Sequence, residues 1–133
     1  MTLEQWRLIW YEGADNCYYN MGLDKAIQKA VSTKSVSNTI RLYRWQPSAV
    51  SIGYFQSMTK VIDVQKCKEF GVDYIRRLTG GGAVYHDYEG EITYSINCLD
   101  SNPKLPQDIM KIYEKICSGI VIGLKWRKKP LSN

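Results

Sequence analysis

The chain lacks every feature that would tie it to a membrane, a secretory route or a structural metal. In 133 residues no apolar run approaches the ~20 needed to cross a bilayer, and the N-terminus carries no basic-then-apolar leader, so a cytoplasmic protein with no membrane partner is expected. The four cysteines, Cys17, Cys67, Cys98 and Cys117, are widely spaced and form no C-x-x-C pair, which argues against zinc and for reduced thiols; no metal ligand is assigned. Histidine occurs once, at His86, and no internal repeat or low-complexity stretch is visible. A body-wide basic field is missing too. The formal charge of +5 leans on Lys125, Arg127, Lys128 and Lys129 close to the C-terminus, so nucleic acid is not an expected partner.

What remains suits a folded domain. Hydrophobic residues make up 44% of the chain and charged residues 23%, and a chain of this length buries ~65–70% of its unfolded surface. Trp6 to Tyr11 reads as a first strand closed by Gly13. Ala14 to about Ser32 follows as a helix, with Asp15 or Asn16 to cap it and Tyr18, Met21, Ala26, Ile27, Ala30 and Val31 on one face. Thr39–Trp45 and Ala49–Ile52 read as strands joined through Gln46-Pro47-Ser48. Asp63 to Phe70 is a short helix with Asp63 as N-cap and Gly71 at its stop, leading into a strand from Val72 to Arg76. Glu91 to Cys98 alternates, with Ile92, Tyr94, Ile96 and Cys98 on one face. A last helix starts at Asp108 and carries Ile109, Ile112, Tyr113, Ile116 and Ile120 on a stripe. The order implies an α+β (mixed α/β) domain, a sheet with helices covering one face.

Between the strand ending at Arg76 and the one beginning near Glu91 lies RRLTGGGAVYHD, Arg76 to Asp87. Gly80, Gly81 and Gly82 lack Cβ, so their N–H groups can turn inward as an anion-binding nest, and Arg76 and Arg77 add charge with forked donors. A bare triplet also suits an ordinary glycine-rich turn. The loop is, however, far longer than a tight hairpin needs, and surplus loop on a sheet is where binding residues concentrate.

Three stretches together, Trp45 to Gln56 (WQPSAVSIGYFQ), Arg76 to Asp87, and Glu91 to Ser95, with the Tyr19–Asp24 segment of the first helix, resemble the biotin/lipoate protein ligase family over nearly the whole chain. The lipoate–protein ligases are the nearest branch. The resemblance implies one catalytic domain over 1–133, incomplete at its C-terminus. It implies ATP-dependent activation of lipoate to lipoyl-adenylate, with Mg2+ accompanying ATP, and transfer to a lysine of a lipoyl carrier domain such as a 2-oxoacid dehydrogenase E2 or glycine cleavage H protein. Arg77, Thr79, Gly80, Gly81, Gly82 and Ala83 would contact the acyl-adenylate, His86 would lie beside the activated acid, and Val84 and Tyr85 would wall the acyl chain. The family's catalytic lysine falls beyond Asn133, so no catalytic residue is assigned, and a separately encoded C-terminal part is a further possible partner. Two alternatives stand beside this expectation. One is an ATP-independent octanoyltransferase of the same superfamily, which uses a downstream cysteine and which the third glycine, Gly82, disfavours; the other is a noncatalytic lipoate-binding or partner module.

Overall fold

The computed structural model describes residues 3–126; the basic residues Arg127, Lys128 and Lys129 lie outside them. Residues up to Leu99 form one compact unit and those from Asp100 a second.

The first unit holds two three-stranded mixed sheets. Strands β1 (Arg7–Trp10) and β2 (Thr39–Tyr43) run parallel, and β6 (Thr93–Asn97) pairs antiparallel with β2, giving the order β1-β2-β6. In the second sheet β3 (Ala49–Ile52) is central, parallel to β4 (Asp73–Arg76) and antiparallel to β5 (Val84–His86). Helix α1 (Cys17–Ser32) packs against β2, β4 and β6. Two short helices, α2 (Met58–Val61) and α3 (Val64–Glu69), connect β3 to β4. The expected helices and strands are found to within a few residues, with two additions: the short helix α2 precedes the expected α3, and the loop expected between β4 and β6 contains β5.

Local chemistry accounts for the boundaries. Asn16 caps α1 by accepting the Tyr19 N–H at 2.9 Å, and Asp63 caps α3 by accepting from the Lys66 N–H at 3.0 Å. Gly71, at φ +63, ends α3 in the left-handed conformation that favours glycine. The Gln46–Pro47 peptide in the β2–β3 connection is cis. On α1 the buried stripe is Cys17, Asn20, Ile27 and Val31, so Tyr18, expected on the inner face, is instead exposed. Asn20 takes its place because its amide bridges two carbonyls, Asp15 O and Arg44 O, each at 3.0 Å.

The first sheet inverts the usual amphipathic arrangement. Toward α1 it presents Arg41 and Tyr43, both nearly inaccessible, and Ser95. Asp24 of α1 accepts from all three: Arg41 Nη1 at 3.0 Å, the Tyr43 hydroxyl at 2.9 Å and the Ser95 hydroxyl at 2.9 Å. Arg41 also donates to Asn20 Oδ1 at 2.6 Å and lies over the Tyr43 ring. Cross-strand partners share a face, so the registers put Leu8, Ile40 and Ile96 together, and Trp10, Leu42 and Tyr94 together, on the opposite face, where Leu8, Trp10 and Tyr94 are exposed. The alternating apolar positions of β6 thus mark the open face.

The second unit contains α4 (Ile109–Trp126), started by Asp108, whose Oδ1 accepts the N–H groups of Met110 and Lys111 at 2.8 and 3.1 Å. The expected stripe is present in sequence, but none of its members is buried; Ile112 and Ile116 are half-buried and Ile109, Tyr113 and Ile120 are exposed. Lys115 Nζ donates to the Lys104 carbonyl. No helix among the described residues is long and apolar enough to cross a membrane.

Candidate functional site

The site grows from the end of β3. Ser51 and Ile52 are fully buried in the central strand of the second sheet, and Gly53 then lets the glycine loop close over the strand end. A Cβ on Gly53 would sit 1.9 Å from the Gly81 carbonyl oxygen. Gly81 itself has φ +99, so glycine is required at both faces of this contact. The Tyr54 N–H donates to the Thr79 carbonyl at 2.9 Å and the Arg77 N–H to the Ile52 carbonyl at 2.9 Å, which pins the start of the loop to the β3 terminus.

The two arginines spend their donors on carbonyls. Arg76 Nη1 donates to the carbonyls of Gly53 at 3.2 Å and Tyr54 at 2.7 Å, holding the turn after β3. Arg77 Nη1 donates to Ser51 O at 3.0 Å and Ser51 Oγ at 2.8 Å, while its Nη2 donates to the carbonyls of Gly80 at 3.1 Å and Gly82 at 2.8 Å. Burial lowers the Arg77 pKa, and the nearby Tyr43 opposes that shift. A guanidinium keeps its proton in a protein, so these four acceptors offset the lost hydration instead. With the Gly80 and Gly82 carbonyls drawn to Arg77, the N–H groups of Gly80, Gly81, Gly82 and Ala83 have no partner among the described residues. They belong to an exposed segment, 78–85, above a fixed positive charge. Such a surface can bind an anion or an oxygen on which negative charge develops.

Behind Ser51 lies a continuous polar chain. His86, at 5% exposure, places Nε2 2.6 Å from Ser51 Oγ and Nδ1 2.7 Å from Glu91 Oε1. The Thr93 hydroxyl donates to the same carboxylate oxygen at 2.6 Å, and Trp45 Nε1 donates to Thr93 Oγ1 at 2.7 Å. The Trp45 and His86 rings stack at 4.1 Å. Both imidazole nitrogens are therefore engaged inside the protein, and His86 lies beneath the loop. Val84 and Tyr85, the expected walls, are exposed beside it, as are Tyr54 and Phe55, whose rings meet edge to face at 5.0 Å.

Of the residues expected at the site, Arg77, Thr79 and Gly80 to His86 are one contiguous assembly. Ser51, Glu91, Thr93 and Trp45 join it; they lie in the stretches that carry the family resemblance but had been given no site role. A serine inside an otherwise apolar strand was the available signal, since a buried hydroxyl requires partners. A cavity of about 410 Å³ is lined by Trp10, Leu42, Tyr43, Arg44, Glu91 and Ile92 among others, and by none of the glycine-loop residues. Cys17 and Cys67 are buried, and burial together with Asp73 pushes the Cys17 thiol up to about 12. Among the described residues no cluster of three or more His, Cys, Asp or Glu side chains could hold a metal ion.

A family model for the lipoyl protein ligase A/B catalytic domain matches residues 16–130. The chain belongs to that family. Within the lipoyl protein ligase A/B family, curated relatives include the octanoyltransferase LipM of Staphylococcus epidermidis, 42% identical over 122 residues, and that of Clostridioides difficile, 43% identical over 125. Each alignment spans 92% of this chain but only 43% and 44% of the relative, so the chain corresponds to less than half the length of these proteins. The fold agrees with solved lipoate–protein ligases. A bipartite lipoate protein ligase from Thermoplasma acidophilum, studied with its E2 lipoyl domain, superposes with a TM-score of 0.75 at 29% identity, covering 92% of this chain and 46% of that one. A lipoate-protein ligase A bound with ATP gives a TM-score of 0.74 at 30% identity, covering 92% and 47%. The mixed α+β architecture is thus that of the ligase catalytic domain.

These relatives overturn the expectation of an ATP-dependent lipoate–protein ligase: the octanoyltransferases are the more similar in sequence, at 42–43% against 29–34% for the ligases. The expectation had leaned on Gly82 as a mark of the ATP-using branch. A Cβ at Gly82 would meet nothing within 4 Å, and its carbonyl serves Arg77. The packing of the loop therefore does not require a third glycine, and Gly82 does not discriminate between the branches.

Proposed function

We propose that the chain is the acyl-binding part of an octanoyltransferase that works on lipoyl carrier domains without ATP. The observation that carries this reading is the 42% identity to octanoyltransferases across 92% of the chain, a match that includes the glycine loop within the family segment 16–130. Family members are enzymes of lipoyl and octanoyl transfer, and the geometry suits acyl transfer. Attack on an octanoyl thioester by a nucleophile passes through a tetrahedral intermediate whose oxygen carries negative charge, and the unpaired amides of Gly80 to Ala83 are the donors we assign to it. Removing one such donor typically costs ~3–4 kcal/mol of barrier stabilisation.

In this reading Arg77 and His86 support the loop from below, Thr79 begins it, and Val84 and Tyr85 flank the alkyl chain. Each buried methylene contributes ~0.8 kcal/mol, so the site selects by length. Transfer in this branch uses a cysteine thiolate. The thioester C–S bond breaks as a new one forms to that cysteine, and the octanoyl group then passes to a carrier lysine, whose amine loses a proton as the thiol regains one. We assign that cysteine to none of the described residues. The free thiols fit a reducing compartment such as the cytoplasm.

The test is to incubate the chain with octanoyl-acyl carrier protein and a lipoyl carrier domain, without ATP, alone and with the remaining portion of a LipM relative, and to follow the octanoyl mass increment on the carrier. Octanoylation without nucleotide is expected in the supplemented reaction. Modification that depends on ATP, or none in either reaction, refutes the proposal; octanoate binding without transfer would reduce the chain to an acyl-binding module.

A further inference from the structure

Ser51, His86 and Glu91 have the mutual geometry of a nucleophile, its base and the base's orienter, with hydrogen-bond distances of 2.6 and 2.7 Å. Two observations exclude the hydrolytic meaning of that geometry. Ser51 is fully buried, and its Oγ already accepts from Arg77 Nη1 at 2.8 Å. A nucleophile needs access to its substrate, which Ser51 lacks, and the bond from Arg77 draws on one of the oxygen's two lone pairs.

One proton arrangement satisfies every member of the chain. A guanidinium can only donate, so Ser51 Oγ accepts from Arg77 and is left with its own proton to give. Glu91, as carboxylate, can only accept, so His86 carries its proton on Nδ1 and Nε2 accepts from Ser51. Thr93, accepting from Trp45, donates to Glu91. Stacking on Trp45 holds the imidazole plane. Hydrogen bonds thus run in one direction from Arg77 through Ser51 and His86 to Glu91. At its other end the same guanidinium holds the carbonyls of Gly80 and Gly82.

We propose that Ser51, His86 and Glu91 are positioning residues: they orient the Arg77 guanidinium, which turns the carbonyls of the glycine loop inward and leaves its amides facing the acyl oxygen. This rests on the octanoyltransferase reading for the identity of the ligand, but the coupling between Ser51 and the loop stands without it. A side chain that merely fills space would affect stability without acting through Arg77.

The experiment uses the full chain and two readouts, amide hydrogen exchange at Tyr54, whose N–H the Thr79 carbonyl holds while the loop is docked, and affinity for octanoate. Ser51→Ala removes only the hydroxyl, and about tenfold faster Tyr54 exchange and about tenfold weaker octanoate binding are expected, the effect of one lost charge-assisted hydrogen bond. Arg77→Ala should have an equal or larger effect, and the double variant should match Arg77→Ala alone, because the serine acts through the arginine. His86→Gln, which keeps an acceptor where Nε2 lies, should retain Tyr54 protection better than His86→Asn, which keeps only a donor toward Glu91. Additive effects of Ser51→Ala and Arg77→Ala, or unchanged Tyr54 exchange in Ser51→Ala, would overturn the proposal. If the unmodified chain fails to bind octanoate, the acyl-binding reading falls, while Tyr54 exchange still decides the positioning chain. Should Ser51→Ala not fold, the His86→Gln and His86→Asn pair decides it, equal Tyr54 exchange in the two counting against.

Discussion

Gly53→Ala is the most incisive single change. An alanine Cβ would lie 1.9 Å from the Gly81 carbonyl oxygen and 2.9 Å from its carbonyl carbon, where real contacts essentially never fall below 3.0 Å. The clash is with backbone, so no rotamer relieves it and the loop must withdraw by about 1 Å or more. Two responses compete. Strain within a docked loop costs ~1–3 kcal/mol, as overpacking does. Undocking instead gives up the Tyr54–Thr79 backbone bond and the Arg77 bonds to Gly80 and Gly82. At ~1 kcal/mol for the neutral bond and ~1.5 for each exposed charged one, that route costs about 4 kcal/mol. The cheaper route sets the result, so a loss of about 1–3 kcal/mol is expected from the urea midpoint. Octanoate affinity should fall with it, because the amides move with the loop. Gly80→Ala and Gly82→Ala are the controls: an added Cβ meets nothing within 4 Å at either, so the midpoint should stay within ~0.5 kcal/mol while the methyl obstructs the ligand. A Gly53→Ala protein with unchanged midpoint and unchanged octanoate affinity would refute this account of the loop.

Three further outcomes are expected. Asp24→Asn should cost ~3–5 kcal/mol, because Arg41 is left buried without its counter-charge and an NH2 group replaces one acceptor oxygen, facing either the Tyr43 hydroxyl or the Arg41 and Ser95 donors; urea denaturation measures it, and a loss below ~1 kcal/mol would contradict the network. Stability should be complete below about pH 9 and decline as pH rises toward 12. The Cys17 thiol is raised from 9.0 to about 12 in the folded state, so the unfolded chain releases that proton first; Cys17→Ala should flatten the early part of the decline, and the upward shift of Tyr43, from burial and then Asp24, should preserve the later part. In native protein a thiol reagent such as Ellman's should label Cys117 fastest and Cys98 more slowly, since burial and then Glu4 raise the Cys98 pKa, with Cys17 and Cys67 labelled only on unfolding; rapid labelling of Cys17 would contradict its placement.

Much of the scaffold was legible because local rules produced it. The Asp63 cap, the Gly71 stop, the Pro47 turn and the α4 start at Asp108 are consequences of short-range hydrogen bonding and backbone sterics, which act within four residues. Strand β5 escaped notice because three residues in a glycine-rich segment carry too little periodicity to register. The inner face of the first sheet escaped for a different reason. Alternation in β6 separates an apolar set from a polar one, and the usual rule buries the apolar set. Here Asp24 makes the polar side the packed one by satisfying Arg41, Tyr43 and Ser95 together.

The sequence by itself determined the family, the order of elements and the exposed glycine surface, because motif residues and caps are contiguous and their chemistry is local. Only the tertiary structure decided what the arginines and the histidine do. Ser51, Arg77, His86 and Glu91 lie on β3, after β4, on β5 and before β6, and no spacing rule joins them. Sheet pairing brings their donors and acceptors within 3 Å, and burial then obliges each polar atom to take the partner it finds there.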